Sequence, residues 1–454
     1  MINTKDTGPD WDKAFTVKVL VSTGDPDTIK RLLRNQDPTV RELASEIFKE
    51  LNNRVDDEII AEIAARLSDA HWGVRLAAMQ TLGAFKDKIG DDIITGIIEH
   101  LKDEDWRLRL DALDILRVFR DKLSTARIKE IASWLSDEND AFRLSAVRAL
   151  KIFNGRLDDR TVQDIAARLK DENTAVRMTA LEVLKTFKDQ LDETTVKEVL
   201  AKLKDESCAV RVTAIDALKA IKDRVDDGML TEIAATMNHE NRAFRIAAMQ
   251  ALAVFQERLD GETAKAIAAM LSDACWDVRM AALQALRDFE SSVDAETIRE
   301  IAGKLKDESW EVRVTALRTL EDFAQWVDLQ IIQDIAERLK DQNGYVRKSA
   351  IHALRRFKER VDHRTIKKIA GQLQDERGFV RVATLLTLPL FKDSIDQHTL
   401  KEIAGKLNDE EKDVRIAALF ALIHIGEIVD DNTVSKMAYN LNADRRDHSI
   451  PATL

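Results

Sequence analysis

One arginine returns every 34 residues, at Arg41, Arg75, Arg109, Arg143, Arg177, Arg211, Arg245, Arg279, Arg313, Arg347, Arg381 and Arg415. Twelve copies with no insertion between them require one structural unit repeated along nearly the whole chain. A period of roughly 20–50 residues marks a solenoid or repeat array, in which each unit buries its apolar face against its neighbours. The 454 residues then need not divide into several globular domains, because such an array extends one continuous core.

Residues 294–323 show the unit. Ile298, Ile301, Ala302 and Leu305 fall on one face of a first helix, and Val312, Ala316, Leu317, Leu320 and Phe323 on one face of a second. Both sets follow the spacing of an amphipathic helix. We call these the A and B helices. Where the A helices should begin stands an aspartate suited to capping free N–H groups: Asp56, Asp158, Asp192, Asp226, Asp260, Asp294, Asp328, Asp362, Asp396 and Asp430. Cations such as Lys122, Arg224, Arg258 and Arg360 suit the negative end of the B helix. Acid–base pairs four residues apart, such as Glu62–Arg66, Glu198–Lys202 and Asp334–Arg338, mark the A helix as a solvated outer face.

A second aspartate precedes the arginine by six residues in most units, as in Asp69, Asp103, Asp137, Asp171, Asp205, Asp273, Asp307, Asp341, Asp375 and Asp409. It can pair with the arginine of its own unit or of an adjacent one. The combined pattern L-x-D-x-x-x-x-V-R-x-x-A over about residues 25–441 resembles the HEAT-repeat family. The resemblance implies antiparallel helix pairs stacked into a curved superhelix, B helices on the inner face, and the Asp and Arg forming a structural ladder. The unit is shorter than in the large phosphatase-scaffold and importin members. It is nearer the short regular arrays of bacteria and fungi, some of which are joined to ATPases; this chain has no P-loop motif. The expected fold is all-α, a right-handed α-α superhelix of about twelve repeats. A capping helix around Trp11–Val21 precedes the array within residues 1–24, and a polar tail occupies 442–454.

Composition removes several functional classes. A net charge of −11 argues against nucleic-acid binding by the whole surface. Cys208 and Cys275 provide neither a disulfide framework nor a zinc site, and suit a reducing compartment, cytoplasmic or nuclear. No apolar run is long enough for a bilayer. HEAT-like iron enzymes use paired His-Glu motifs, and this chain has a single His-Glu dipeptide, His239-Glu240. No catalytic residue, metal site or cofactor is expected.

With the repeated arginine as position 0, a helical wheel makes −2, +2, +5, +9 and +12 the most exposed positions of the B helix. Most units carry small residues at −2 and +2. Three consecutive units depart from this with Tyr345 and Phe379 at −2, Leu386 and Phe420 at +5 and Leu390 at +9. Pro389 should kink the same helix. These six residues are the candidate docking site for a protein or peptide partner. The alternative is a nucleic acid or other polyanion held by a basic strip at +8, comprising Lys49, Arg117, Lys151, Lys185, Lys219, Arg287 and Arg355. Four tryptophans at −3, Trp72, Trp106, Trp276 and Trp310, are expected to pack against the neighbouring unit; a stacking platform is the other reading.

Overall fold

The computed structural model describes residues 26–48, 56–259, 261–289 and 293–426. The expected capping helix and polar tail lie outside these residues, as do Lys49, Asp260 and Asp430. The chain divides into two compact bodies, Met1–Met229 and Leu230–Leu454. All regular structure among the described residues is helical.

One repeat of the second body shows how the sequence builds each pair. The Asp294 carboxylate accepts from the Thr297 N–H at 2.9 Å and starts the A helix Ala295–Gly303. The helix tightens into a 3₁₀ turn, Lys304–Lys306, and Asp307 then turns the chain into extended backbone. Tightening lets the last turn satisfy carbonyls that an α-helix would leave open. The B helix Trp310–Asp322 follows and ends at Phe323, whose backbone leaves the helical region while its ring is fully buried. Phe119, Phe153, Phe187, Phe289 and Phe357 are buried at the same place in their repeats. Ile301, Leu305, Val312, Leu317 and Leu320 complete the buried layer. Burying each large apolar side chain contributes about 1.5–3 kcal/mol.

Within each body, consecutive B helices pack against one another far more closely than consecutive A helices do. The B helices therefore line the inner side of the curve of each body. This closeness corrects one sequence expectation. Position +2 is not exposed: Ser145, Ala247, Ala281 and Ala383 are buried. Their small size admits the neighbouring B helix rather than a partner.

Two other side-chain sets also act between repeats. Glu62, Glu198 and Asp334 pair with Arg34, Lys170 and Lys306 of the preceding repeat, not along their own A helices. At the far end of the pair, Lys122 donates to the Lys86 and Ile89 carbonyls at 2.5 and 3.3 Å. Arg156, Arg224 and Arg360 reach carbonyls of the preceding repeat in the same way. These cations close the open end of a neighbouring B helix segment as well as suiting their own dipole.

Candidate functional site: the B-helix face

The repeated arginine organises this face. In the first body, Arg143 donates through Nε and Nη2 to both carboxylate oxygens of Asp171, at 2.7 and 2.8 Å. Its Nη1 donates to the Asp137 and Glu138 carbonyls of its own turn, at 3.0 and 2.9 Å. Asp171 also accepts the Asn173 N–H at 2.9 Å. Arginine and aspartate thus pair across repeats, 28 residues apart. Arg177–Asp205, Arg279–Asp307 and Arg313–Asp341 repeat the two-point contact. Burial pushes the Asp171 carboxyl up, but the Arg143 fork, the Asn173 N–H and the nearby positive charge outweigh it and hold it below the usual carboxylate range.

Two rungs are rearranged. Asp137 is taken by Lys102 at 3.4 Å, a lysine that also sits 4.6 Å over the Trp134 ring. Asp375 is taken by Arg377 of its own repeat, at 2.9 and 3.1 Å. Arg377 stands where Asn343 caps the preceding B helix. Arg347, which would otherwise hold Asp375, keeps its Nη1 contacts to the Asp341 and Gln342 carbonyls at 2.8 and 2.9 Å. Its guanidinium lies over the Phe379 ring, 4.3 Å from the centroid. Burial lowers the Arg347 pKa from the usual arginine range; Asp341 opposes this shift and the Arg377 charge adds to it.

The six candidate docking residues all lie in the second body but do not form one patch. Tyr345 is 68% exposed and stacks on Trp310, with ring centroids 5.5 Å apart. Both line a groove of about 810 Å³ with Met280, Arg318 and His352. Phe379 and Leu386 line another groove, of about 710 Å³, with Arg347, Ile351, Arg377 and Val382. Lys348 borders both grooves. Phe420 is exposed and stacks on His424 at 3.8 Å. Pro389 and Leu390 are half-buried in the 3₁₀ segment Leu388–Ser394, which follows a B helix cut short at Thr387.

The basic strip is partly neutralised. Arg117 pairs with Asp114 at 3.1 Å, Lys185 with Asp216 at 2.5 Å and Arg287 with Asp322 at 2.5 Å. Lys151, Lys219 and Arg355 are exposed. Two of the tryptophans at −3 contact neighbouring repeats, as the packing reading expects. Trp310 packs on the next repeat through Tyr345, and Trp72 through Arg107 at 5.3 Å, yet all four remain substantially exposed. Among the described residues, no His, Cys, Asp and Glu cluster is arranged to hold a metal ion, and no helix is long and apolar enough to cross a membrane.

The model of the HEAT-repeat family matches residues 162–238, 229–304 and 302–389, together half of the chain. The chain belongs to the HEAT-repeat family. Among solved structures it is similar to the karyopherin Kap121p. The form bound to the SUMO protease Ulp1p aligns with a TM-score of 0.61 and 16% identity, over 96% of this chain and 51% of that one. The form bound to RanGTP gives 0.63 and 15%, over 98% and 54%. The form bound to Pho4p gives 0.60 and 16%, over 96% and 54%. At this identity the likeness is one of fold, and the chain spans about half the length of those structures. A comparison with curated proteins finds no matching sequence.

Sequence reasoning missed two features of this HEAT array. Position +1, assigned to neither core nor surface by the wheel, is exposed and apolar at Leu110, Val212 and Ile416. The close approach of the B helices buries small +2 residues such as Ser145 and Ala281, whereas +1 ranges from buried at Val314 to exposed at these three. The second omission is Arg347 with Arg377. An arginine where Asn343 stands in the preceding repeat was the available signal.

Proposed function

We propose that the chain is a non-enzymatic scaffold that docks a protein or peptide on the B-helix face of its second body. The observation that carries this reading is the set of large apolar side chains left exposed there, Tyr345 and Leu386 in two open grooves and Ile416 and Phe420 on the last described B helix. Large apolar groups left in water on one series of helices favour removal from solvent by a partner that spans several repeats. The solved neighbours bound to Ulp1p, RanGTP and Pho4p support the use of such a fold for protein binding. The carboxylates beside Arg117, Lys185 and Arg287 weigh against a continuous phosphate track.

The test is affinity capture with mass spectrometry, comparing the natural chain with Leu386→Asp and Phe420→Asp. Both variants should lose the partner without losing helical content. The complex of the natural chain should survive about 1 M salt, because apolar burial is not screened as exposed ion pairs are. Unchanged capture by both variants, or dissociation as salt rises, would count against this reading.

A further inference from the structure

Three departures from the repeat converge on one groove. Arg377 stands where Asn343 caps the preceding B helix, Phe379 stands at the −2 position held by Ala141, Ala175, Ala209 and Ala243 in other repeats, and the Arg347–Asp375 rung is absent. Elsewhere in the second body, Arg279 and Arg313 present their Nε–Nη2 edges to a carboxylate of the next repeat. The guanidinium of Arg347 instead lies against Phe379, and its missing carboxylate is held by Arg377. A repeat that departs from both local rules at one place gives up stability there, which is the usual mark of a site. The groove has a charged edge of Arg347, Lys348 and Arg377 and an apolar wall of Ile351, Val382 and Leu386. Glu411 and Asp413 stand at its other side, and Glu411 is drawn toward Arg381 at 3.3 Å.

We infer that Arg347 is a receptor for a carboxylate supplied by a partner, so that an Asp or Glu side chain of an extended peptide completes the open rung while adjacent Leu or Phe side chains fill the apolar wall. The planar fork suits two-point recognition of a carboxylate, as it does at the intact rungs. This inference rests on the docking reading above and specifies the chemistry of its occupant.

Two capped, fluorescein-labelled peptides of equal length provide the probe, one alternating Asp with Leu and Phe, the other with every Asp changed to Asn. Each is titrated with the full chain by fluorescence anisotropy. The Asp peptide should bind about tenfold tighter or better, as expected for a charge-assisted bidentate pair. Arg347→Gln should abolish that preference. Arg377→Ser supplies the residue that stands at this position as Ser207 and Ser309 in other repeats and leaves Asp375 for Arg347, so it should abolish the preference too, without lowering the melting temperature. That variant decides the matter if Arg347→Gln folds poorly. Equal binding of the two peptides, binding of neither, or a preference retained in Arg377→Ser would overturn the inference. Leu386→Asp separates the two readings. If it abolishes binding of both peptides where the natural chain shows no preference, the carboxylate receptor fails and the apolar dock stands. If binding is unchanged in Leu386→Asp, the dock itself fails.

Discussion

At an intact rung, the ladder aspartate holds two repeats and one turn together. Asp171 takes the Arg143 fork from the preceding repeat and the Asn173 N–H of its own turn, with both partners of the ion pair buried. Removing one partner of a buried pair leaves an uncompensated charge, which costs about 3–5 kcal/mol. Asp171→Ala should therefore destabilise the first body by about 3 kcal/mol at neutral pH. The pH dependence has a definite sign. Asp69, Asp103, Asp171, Asp205 and Asp409 are all held below the ordinary carboxylate range. A depressed folded pKa gives stability that is present above the unfolded value of about 3.9 and lost as pH falls through the folded value. Urea unfolding of the natural chain and Asp171→Ala, at several pH values, should show the gap constant between about pH 5 and 8 and narrowing below about pH 4. A gap that persists undiminished at pH 2 would contradict this account. The sequence placed these residues in register. It left open which repeat each arginine serves, because both arrangements satisfy the same spacing.

At the scale of an element, the B helix Gly378–Thr387 ends early and shapes the candidate site, stopping one residue sooner in register than Asp140–Leu150 and Thr174–Leu184, which also pass into 3₁₀ segments. Pro389 lacks the N–H that would continue the helix, and its ring opposes the carbonyl four residues back. The chain responds with the 3₁₀ segment Leu388–Ser394, and Thr384 and Thr387 donate back to the Val380 and Ala383 carbonyls at 2.9 and 2.7 Å. Leu390 is thereby taken off the helical wheel that predicted its exposure. Pro389→Ala should let the helix run on by about one turn. Amide hydrogen exchange across 386–394 should slow, and the groove at Leu386 should change shape. Exchange rates identical to those of the natural chain would show that the proline is not what ends the helix. The kink was legible from one residue type. Its consequence for Leu390 was not, because a wheel assumes one uninterrupted helix.

At the scale of the molecule, order is local. Within each body, neighbouring helix pairs are joined by intact ladder rungs, by cations at the ends of B helices and by A-helix ion pairs, all linking positions about one repeat apart. Such an array behaves as a chain of nearest-neighbour terms, and its cooperativity weakens with length. Urea unfolding followed by far-ultraviolet circular dichroism should therefore show a slope shallower than that of a two-state globule burying the same surface. A single sharp transition, coincident with tryptophan fluorescence, would refute this. The helix-pair fold, the apolar layer and the ladder positions were determined by the sequence alone, because a fixed period imposes one local solution wherever it recurs. Tertiary packing alone decided which face of the B helix stays open. The approach of neighbouring helices buries +2 residues such as Ser145 and Ala281, leaves Leu110, Val212 and Ile416 at +1 in water and sets Arg347 on Phe379, and these outcomes depend on distances between repeats that no single repeat encodes.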